Sequence, residues 1–184
     1  MKSESTVDDT LRAWNAQLEA VRSVQRSRGG GQAGLPRPEQ ISGKSGLEIM
    51  TALLQGDLPH PYMADTFGCD LVELGDGLAV FQATPLLKHY NPLGSVHGGW
   101  YATLLDFALG CAVQTRLPAG RAYTTSHINV NIVRAASTQT GPLRCIGQAL
   151  HVGRQIGTSE ARIVGPDGKL YAHASTTCAI FDAA

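Results

Sequence analysis

Apolar residues recur at spacings of three and four over residues 9–26, at Leu11, Trp14, Leu18, Val21 and Val24, which is the period of one helical face. This predicts an amphipathic helix with Arg12, Arg22 and Arg26 towards solvent. From Ser27 to Gly46 the periodicity vanishes, and SRGGGQAGLPRPEQISGKSG reads as a flexible linker. Gly46 to Gln55 regains a helical stripe through Leu47, Ile49, Met50, Leu53 and Leu54, and GDLPHPYMADT then turns the chain as a loop. Two strand-like runs follow, Cys69–Leu74 and Leu78–Thr84, joined by the hairpin signal Gly75-Asp76-Gly77. Beyond residue 116 come four more, at about Ala122–Arg134, Leu143–Val152, Gln155–Val164 and Lys169–Phe181, whose connections, Gly141-Pro142, Gly153-Arg154 and Pro166-Asp167-Gly168, are short turn signals that make successive neighbours antiparallel.

Between the two groups of strands, the run from Trp100 to Val113 is apolar on nearly all sides and carries Asp106 as its only charge. Such a helix cannot lie on a sheet with its other face in water, so the sheet curls around it or a second subunit covers it. A lone carboxylate in this setting is expensive to bury unless it is paired or used. The chain thus divides into an N-terminal helix with its linker over 1–45 and a strand–helix–strand domain over 46–184.

Composition narrows the function classes. The 43% hydrophobic fraction in 184 residues supports a packed core, and fifteen basic residues balance fifteen acidic ones, which leaves no electrostatic footprint for nucleic acid or an anionic membrane. The longest apolar run is too short for a membrane span and holds Asp106 at its middle. MKSESTVDDT has no apolar signal region, so a cytoplasmic location is expected. Cys69, Cys111, Cys145 and Cys178 are far apart and sit in apolar runs, as reduced buried thiols do. The six histidines show no metal-ligand spacing, and no metal is expected. Gly29, Gly31 and Gly34 imitate a dinucleotide-binding loop and Gly43-Lys44-Ser45 the end of a P-loop, but neither follows a strand.

The motif that stands out is Asn91-Pro92-x-Gly94-x-x-His97-Gly98-Gly99, then Leu105-Asp106 and Gly110. It closely resembles the signature of hotdog-fold acyl-CoA thioesterases, in particular the PaaI-like branch linked to phenylacetate metabolism. The likeness runs from about Gly46 to Phe181 and leaves residues 1–45 outside it. Ala135 stands where the family commonly has proline, and His127 where an acid is frequent, departures that bear on substrate detail. The resemblance implies an α+β fold in which a curved antiparallel sheet of about six strands wraps around a central long helix, here with an extra N-terminal helix. It implies an acyl-CoA substrate, no cofactor, and a homodimer or homotetramer.

Thioester hydrolysis requires donors for the developing oxyanion and a base for water. The start of the long helix, with Gly98 and Gly99 allowing close approach to backbone N–H groups, suits the first; Asp106 suits the second, as base or as nucleophile through an anhydride. Gly98 and Asp106 lie eight residues apart, about 12 Å along a helix, too far to touch one thioester carbon. Two helices antiparallel across a two-fold axis would bring Gly98 of one subunit near Asp106 of the other. By resemblance Asn91 orients the thioester or the nucleophile, and Thr125 holds the attacking water beside Asp106, with Thr124 a rival. Alternation groups Tyr123, Thr125, His127, Asn129 and Asn131 on one strand face. His97 either fixes the loop or acts as a base, and Arg134 and Arg154 are candidates for CoA phosphates. The expected activity is hydrolysis of an aryl- or medium-chain acyl-CoA; a non-catalytic acyl-CoA-binding or regulatory protein is the alternative, and a hydratase a third.

Overall fold

The structure, a computed structural model, describes residues 4–183; residues 1–3, which open the N-terminal unit expected over 1–45, and residue 184 lie outside it. In chain order it contains helices α1 (Glu4–Ser27), α2 (Pro38–Ile41), α3 (Gly46–Gln55) and α4 (Tyr62–Phe67). Strands β1 (Cys69–Gly75) and β2 (Leu78–Ala83), helix α5 (Gly98–Gln114), and strands β3 (Arg121–Ile132), β4 (Leu143–Val152), β5 (Ile156–Val164) and β6 (Leu170–Asp182) follow. The strands form one antiparallel sheet in the order β1-β2-β4-β5-β6-β3; the Gly141-Pro142 turn does not close a hairpin, because β4 pairs with β2 and β5 and β3 lies at the far edge against β6. Helix α5 packs against β2, β3, β4, β5 and β6, so the sheet wraps around it in the hotdog arrangement. None of the helices among the described residues is long and apolar enough to cross a membrane.

The core forms where the inward positions of the strands meet α5. Phe81, Leu143, Cys145 and Ile163 from the sheet pack with Trp100, Leu104, Leu105, Ala108 and Leu109 from the helix. The fit is closest at β4, where a Cβ on Gly147 would lie 2.1 Å from the carbonyl oxygen of Ala108. Only a glycine lets the strand sit this near the helix backbone.

Two stretches carry more structure than their composition announced. In the loop after α3, Tyr62–Phe67 forms a short helix closed by Gly68 at φ +63°. The Gly/Pro-rich stretch between α1 and α3 carries α2 and a parallel bridge between Ala33 and His60, held by Gly34 N–H to the His60 carbonyl at 2.9 Å. Helix α1 lies on the outside of the sheet: the guanidinium of Arg144, only 7% exposed, stacks on the Trp14 ring at 4.7 Å and donates to Gln17 and Gln82. Arg22 pairs with Asp70 rather than pointing into solvent alone.

Because the Gly147 contact is backbone against backbone, Gly147→Ala should lower stability by about 1–3 kcal/mol. Urea unfolding measures this, and an unchanged midpoint would contradict such close packing.

Candidate active site

Helix α5 begins at a cap that its own preceding residue supplies. His97 has an extended backbone, and its Nδ1 accepts the Gly99 N–H at 2.8 Å, which leaves the ring proton on Nε2. The Gly99 N–H is thereby occupied, whereas the Gly98 N–H has no partner among the described residues. One unpaired donor at a helix N-terminus, carrying the positive end of the macrodipole, is suited to an oxyanion. Ile132 of β3 borders it, 3.3 Å from where a Gly98 Cβ would be.

The loop before the helix is held by Asn91. Its Oδ1 accepts the N–H groups of Leu93 (2.9 Å) and Ser95 (3.2 Å), its Nδ2 donates to Ser95 Oγ at 2.9 Å, and its backbone N–H bonds the Ser95 carbonyl at 2.7 Å. Much of the carboxamide is therefore spent on loop closure, with one amide hydrogen left over. Ser95, which stands one position too early for a G-x-S-x-G nucleophile, serves instead as the partner that closes this loop.

Asp106 departs from expectation. It is exposed, because the wrapping sheet covers one side of α5 and leaves Ala102, Thr103 and Asp106 on the other, while Phe107 at the border stacks on Phe81 of β2. Among the described residues only Thr125 Oγ1 hydrogen-bonds it, donating to Oδ1 at 2.9 Å. Thr124, on the opposite strand face, does not. Cys111 follows one turn later, half-buried; apolar packing and then the Asp106 charge push its thiol up to about 12, so it is no nucleophile at neutral pH. Tyr123 lies across Gly110, so close that a Cβ there would sit 2.4 Å from the phenol oxygen, and burial holds its pKa well above the usual range.

The alternation read along β3 holds only as far as Thr125. Between Thr125 and His127 the pairing with β6 slips by one residue, with Ser126 the extra one and its Oγ bonded to the Thr177 carbonyl at 2.9 Å. This bulge exchanges the faces. Ile128 and Val130 pack on the core, and His127, Asn129 and Asn131 turn outward, away from Thr125.

The two arginines are not brought together. Arg134 follows the end of β3 near the start of α5, its Nε donating to the Leu170 carbonyl at 3.3 Å beside the Tyr171 ring. Arg154 is exposed in the β4–β5 turn, where its carbonyl accepts from Arg121 at the opposite end of β3. Along the helix side of the same strand, Ile132 adjoins Gly98, Thr125 adjoins Asp106 and Tyr123 adjoins Gly110, so β3 runs antiparallel to α5. Beside the helix start lies a cavity of about 500 Å³ lined by Phe67, His89, Tyr90, His97, Trp100 and Thr103. Phe67 enters it from α4, which the sequence did not announce.

If the His97 ring is the N-cap, His97→Ala should cost about 0.5–2 kcal/mol of stability and His97→Asn should recover most of it. Denaturant titration of the two variants checks this; equal losses would exclude a capping role.

The family model of the thioesterase superfamily matches residues 93–172. A conserved protein of Pseudomonas aeruginosa of known structure is 30% identical, superposes with a TM-score of 0.62, and aligns over 66% of this chain and 95% of its own. The PaaI protein from the phenylacetic acid degradation operon of Escherichia coli is 26% identical over 64% of this chain and 83% of its own, with a TM-score of 0.59. A 1,4-dihydroxy-2-naphthoyl-CoA hydrolase of Listeria monocytogenes is 26% identical, over 64% of this chain and 94% of that enzyme. With a sheet wrapped around one motif-bearing helix and relatives matched over nearly their whole length, the chain belongs to the thioesterase superfamily, as a hotdog-fold thioester hydrolase.

Proposed function

We propose that this protein hydrolyses an aryl- or medium-chain acyl-CoA to the free acid and CoA, at a site shared between two subunits. The observation that carries the reading is the pair formed by an unpaired Gly98 N–H and the Thr125-held carboxylate of Asp106 on the uncovered side of one helix. The carbonyl oxygen of the thioester accepts from Gly98. Asp106 takes a proton from a water that Thr125 helps to orient, and the water oxygen bonds to the carbonyl carbon. The carbon–sulfur bond then breaks and the CoA thiolate leaves to be protonated. Attack by Asp106 itself, through an anhydride that water later opens, uses the same contacts.

Spacing supports a shared site. Gly98 and Asp106 of one chain are about 12 Å apart along α5. The outer edge of β3 pairs with no other strand among the described residues, and such an edge offers a row of unpaired backbone groups to another strand. If two β3 edges pair antiparallel about Ile128 and Asn129, the Ile132 level of one subunit meets the Thr125 level of the other. Gly98 then faces Asp106 of the partner subunit. The same symmetry carries Arg134 towards Arg154 of the partner subunit, where two guanidinium groups can hold CoA phosphates. Residues 46–184 carry the reaction in this reading, and α1 braces the outside of the sheet.

The aryl preference rests on the aromatic lining of the cavity by Phe67, Tyr90 and Trp100, and on relatives whose names attach them to phenylacetate degradation and to a naphthoyl-CoA ester.

Loss of the base in Asp106→Asn should reduce kcat by roughly 10²–10⁴, measured as CoA release across acetyl- to palmitoyl-, phenylacetyl- and benzoyl-CoA. Unchanged turnover would exclude Asp106, and tight binding without turnover by the wild type would favour the binding-protein alternative. Successive N–H groups of a strand point to opposite sides, so one of Ile128→Pro and Asn129→Pro removes an outward donor and the other a bond to β6. The variant that keeps its fold should sediment as a monomer and lose turnover; an active monomer would exclude a shared site.

A further inference from the structure

The reaction above leaves the departing sulfur without a protein contact, and Tyr123 stands where one is needed. Gly110 follows Asp106 by four residues and so lies on the same side of α5, the side that the sheet does not cover. Gly110 is nevertheless buried, because the Tyr123 ring reaches across it from β3; a Cβ there would lie 2.8 Å from Cε2, 2.9 Å from Cζ and 2.4 Å from the phenol oxygen. A phenylalanine ring would cover Gly110 equally well, so packing does not account for the hydroxyl. No described residue hydrogen-bonds it. Among the described residues, the side-chain polar atoms sealed from solvent without a partner are Gln82 Nε2 and His89 Nε2, so the oxygen of the half-buried Tyr123 keeps an opening to the outside. Burial, then the neighbouring Cys111, Cys178 and Asp106, raises the phenol's pKa well above the usual tyrosine range, which keeps it a donor.

We propose that Tyr123 is a further catalytic residue, whose phenol O–H donates a hydrogen bond to the thioester sulfur as the carbon–sulfur bond breaks. The proposal rests on the reading that a CoA thioester is hydrolysed at Asp106 in a shared site. The order of groups along β3 fits it. Thr125 holds Asp106, Tyr123 comes next, and then Arg121, whose guanidinium donates to the Arg154 carbonyl. An ester whose reacting carbon lies at Asp106 and whose phosphates reach Arg154 carries its sulfur and the adjoining arm past Tyr123. The phenol keeps its proton throughout. Water gives one proton to Asp106 and its oxygen bonds to the carbonyl carbon; the carbon–sulfur electron pair goes to sulfur; the proton on Asp106 then passes to the thiolate. A thioester sulfur is a weak acceptor and a thiolate a strong one, so the bond strengthens as charge develops, and it stabilises the transition state more than the bound ester.

Tyr123→Phe keeps the ring over Gly110 and removes only the donor. Its kcat on the acyl-CoA esters that the wild type hydrolyses should fall by about ten- to a hundredfold, with KM little changed and sedimentation as for the wild type. Disturbed packing would also lower kcat, so a second measurement follows the sulfur itself. In Asp106→Asn the side chain is neutral, as the base is once it has taken its proton. Calorimetry would give the Kd of CoA and of desulfo-CoA, in which hydrogen replaces the thiol, at about pH 7 and about pH 9, either side of an ordinary thiol pKa. As the thiol ionises, Asp106→Asn should gain affinity for CoA relative to desulfo-CoA by about threefold or more, and the double variant Asp106→Asn/Tyr123→Phe should lose that gain. Unchanged kcat in Tyr123→Phe, no gain in Asp106→Asn, or a gain that the double variant keeps each overturns the proposal. A changed sedimentation of Tyr123→Phe would overturn it too, by assigning the hydroxyl to the subunit contact. Any of these with the wild type turning over leaves the hydrolase reading intact. A gain that depends on Tyr123 in a protein without turnover would uphold the sulfur contact and overturn the hydrolase reading, and neither CoA binding nor turnover would overturn both.

Discussion

The structure depends on how one apolar helix is covered. Leu105, Ala108, Leu109 and Ala112 of α5 are fully buried against a sheet that curls around them, and Gly147 brings β4 onto the helix backbone. Apolar surface taken from water on this scale is the main favourable contribution to folding. A six-stranded sheet still reaches only part of the way round a helix. The side left over carries Ala102, Thr103 and Asp106, so the helix that organises the core also presents the Asp106 carboxylate outside it. One element thereby packs the core on one face and bears the proposed base on the other.

Strand β3 links those roles. It is an edge strand with its outer side unpaired, it runs antiparallel to α5, and its bulge at Ser126 divides it into two halves with opposite facing. The first half points Tyr123 and Thr125 at the helix, which sets Thr125 against Asp106. The second half points Ile128 and Val130 inward and leaves Asn129 and Asn131 outside. Without the bulge, a strand that aims Thr125 at Asp106 would also bury three polar side chains with no partners, at a desolvation cost that a small core could not offset.

On the outside of the sheet, α1 packs along β1 and reaches Arg144 of β4. Its anchor is a buried cation without a carboxylate neighbour among its hydrogen-bond partners: Arg144 is met by the Trp14 ring and by two glutamine oxygens. Ring stacking and neutral acceptors suit a guanidinium, which is weakly hydrated and planar. The segment that follows α1 is rich in glycine and proline, yet it returns to His60 through a bridge. Composition describes what a segment can do alone; here the neighbouring backbone supplies acceptors that composition does not record.

The sequence by itself determined the order of elements, the β1–β2, β4–β5 and β5–β6 hairpins and the motif-bearing helix. These follow from local rules, in which the period of apolar residues selects helix or strand and glycine and proline mark the turns. All six strands fall within a few residues of where the pattern sets them. The motif from Asn91 to Asp106 was equally legible, since it is contiguous. Only the tertiary structure decided what depends on contacts between distant residues. The bulge at Ser126 exchanged strand faces because β6 offers one residue against two. Asp106 came to the surface because the sheet stops short of it, and His97 took the Gly99 N–H because the loop turns there. Phe67 reached His89 from a helix that its own residues did not foretell. A period in sequence reports which side of an element is apolar; what lies opposite that side is set by the rest of the chain.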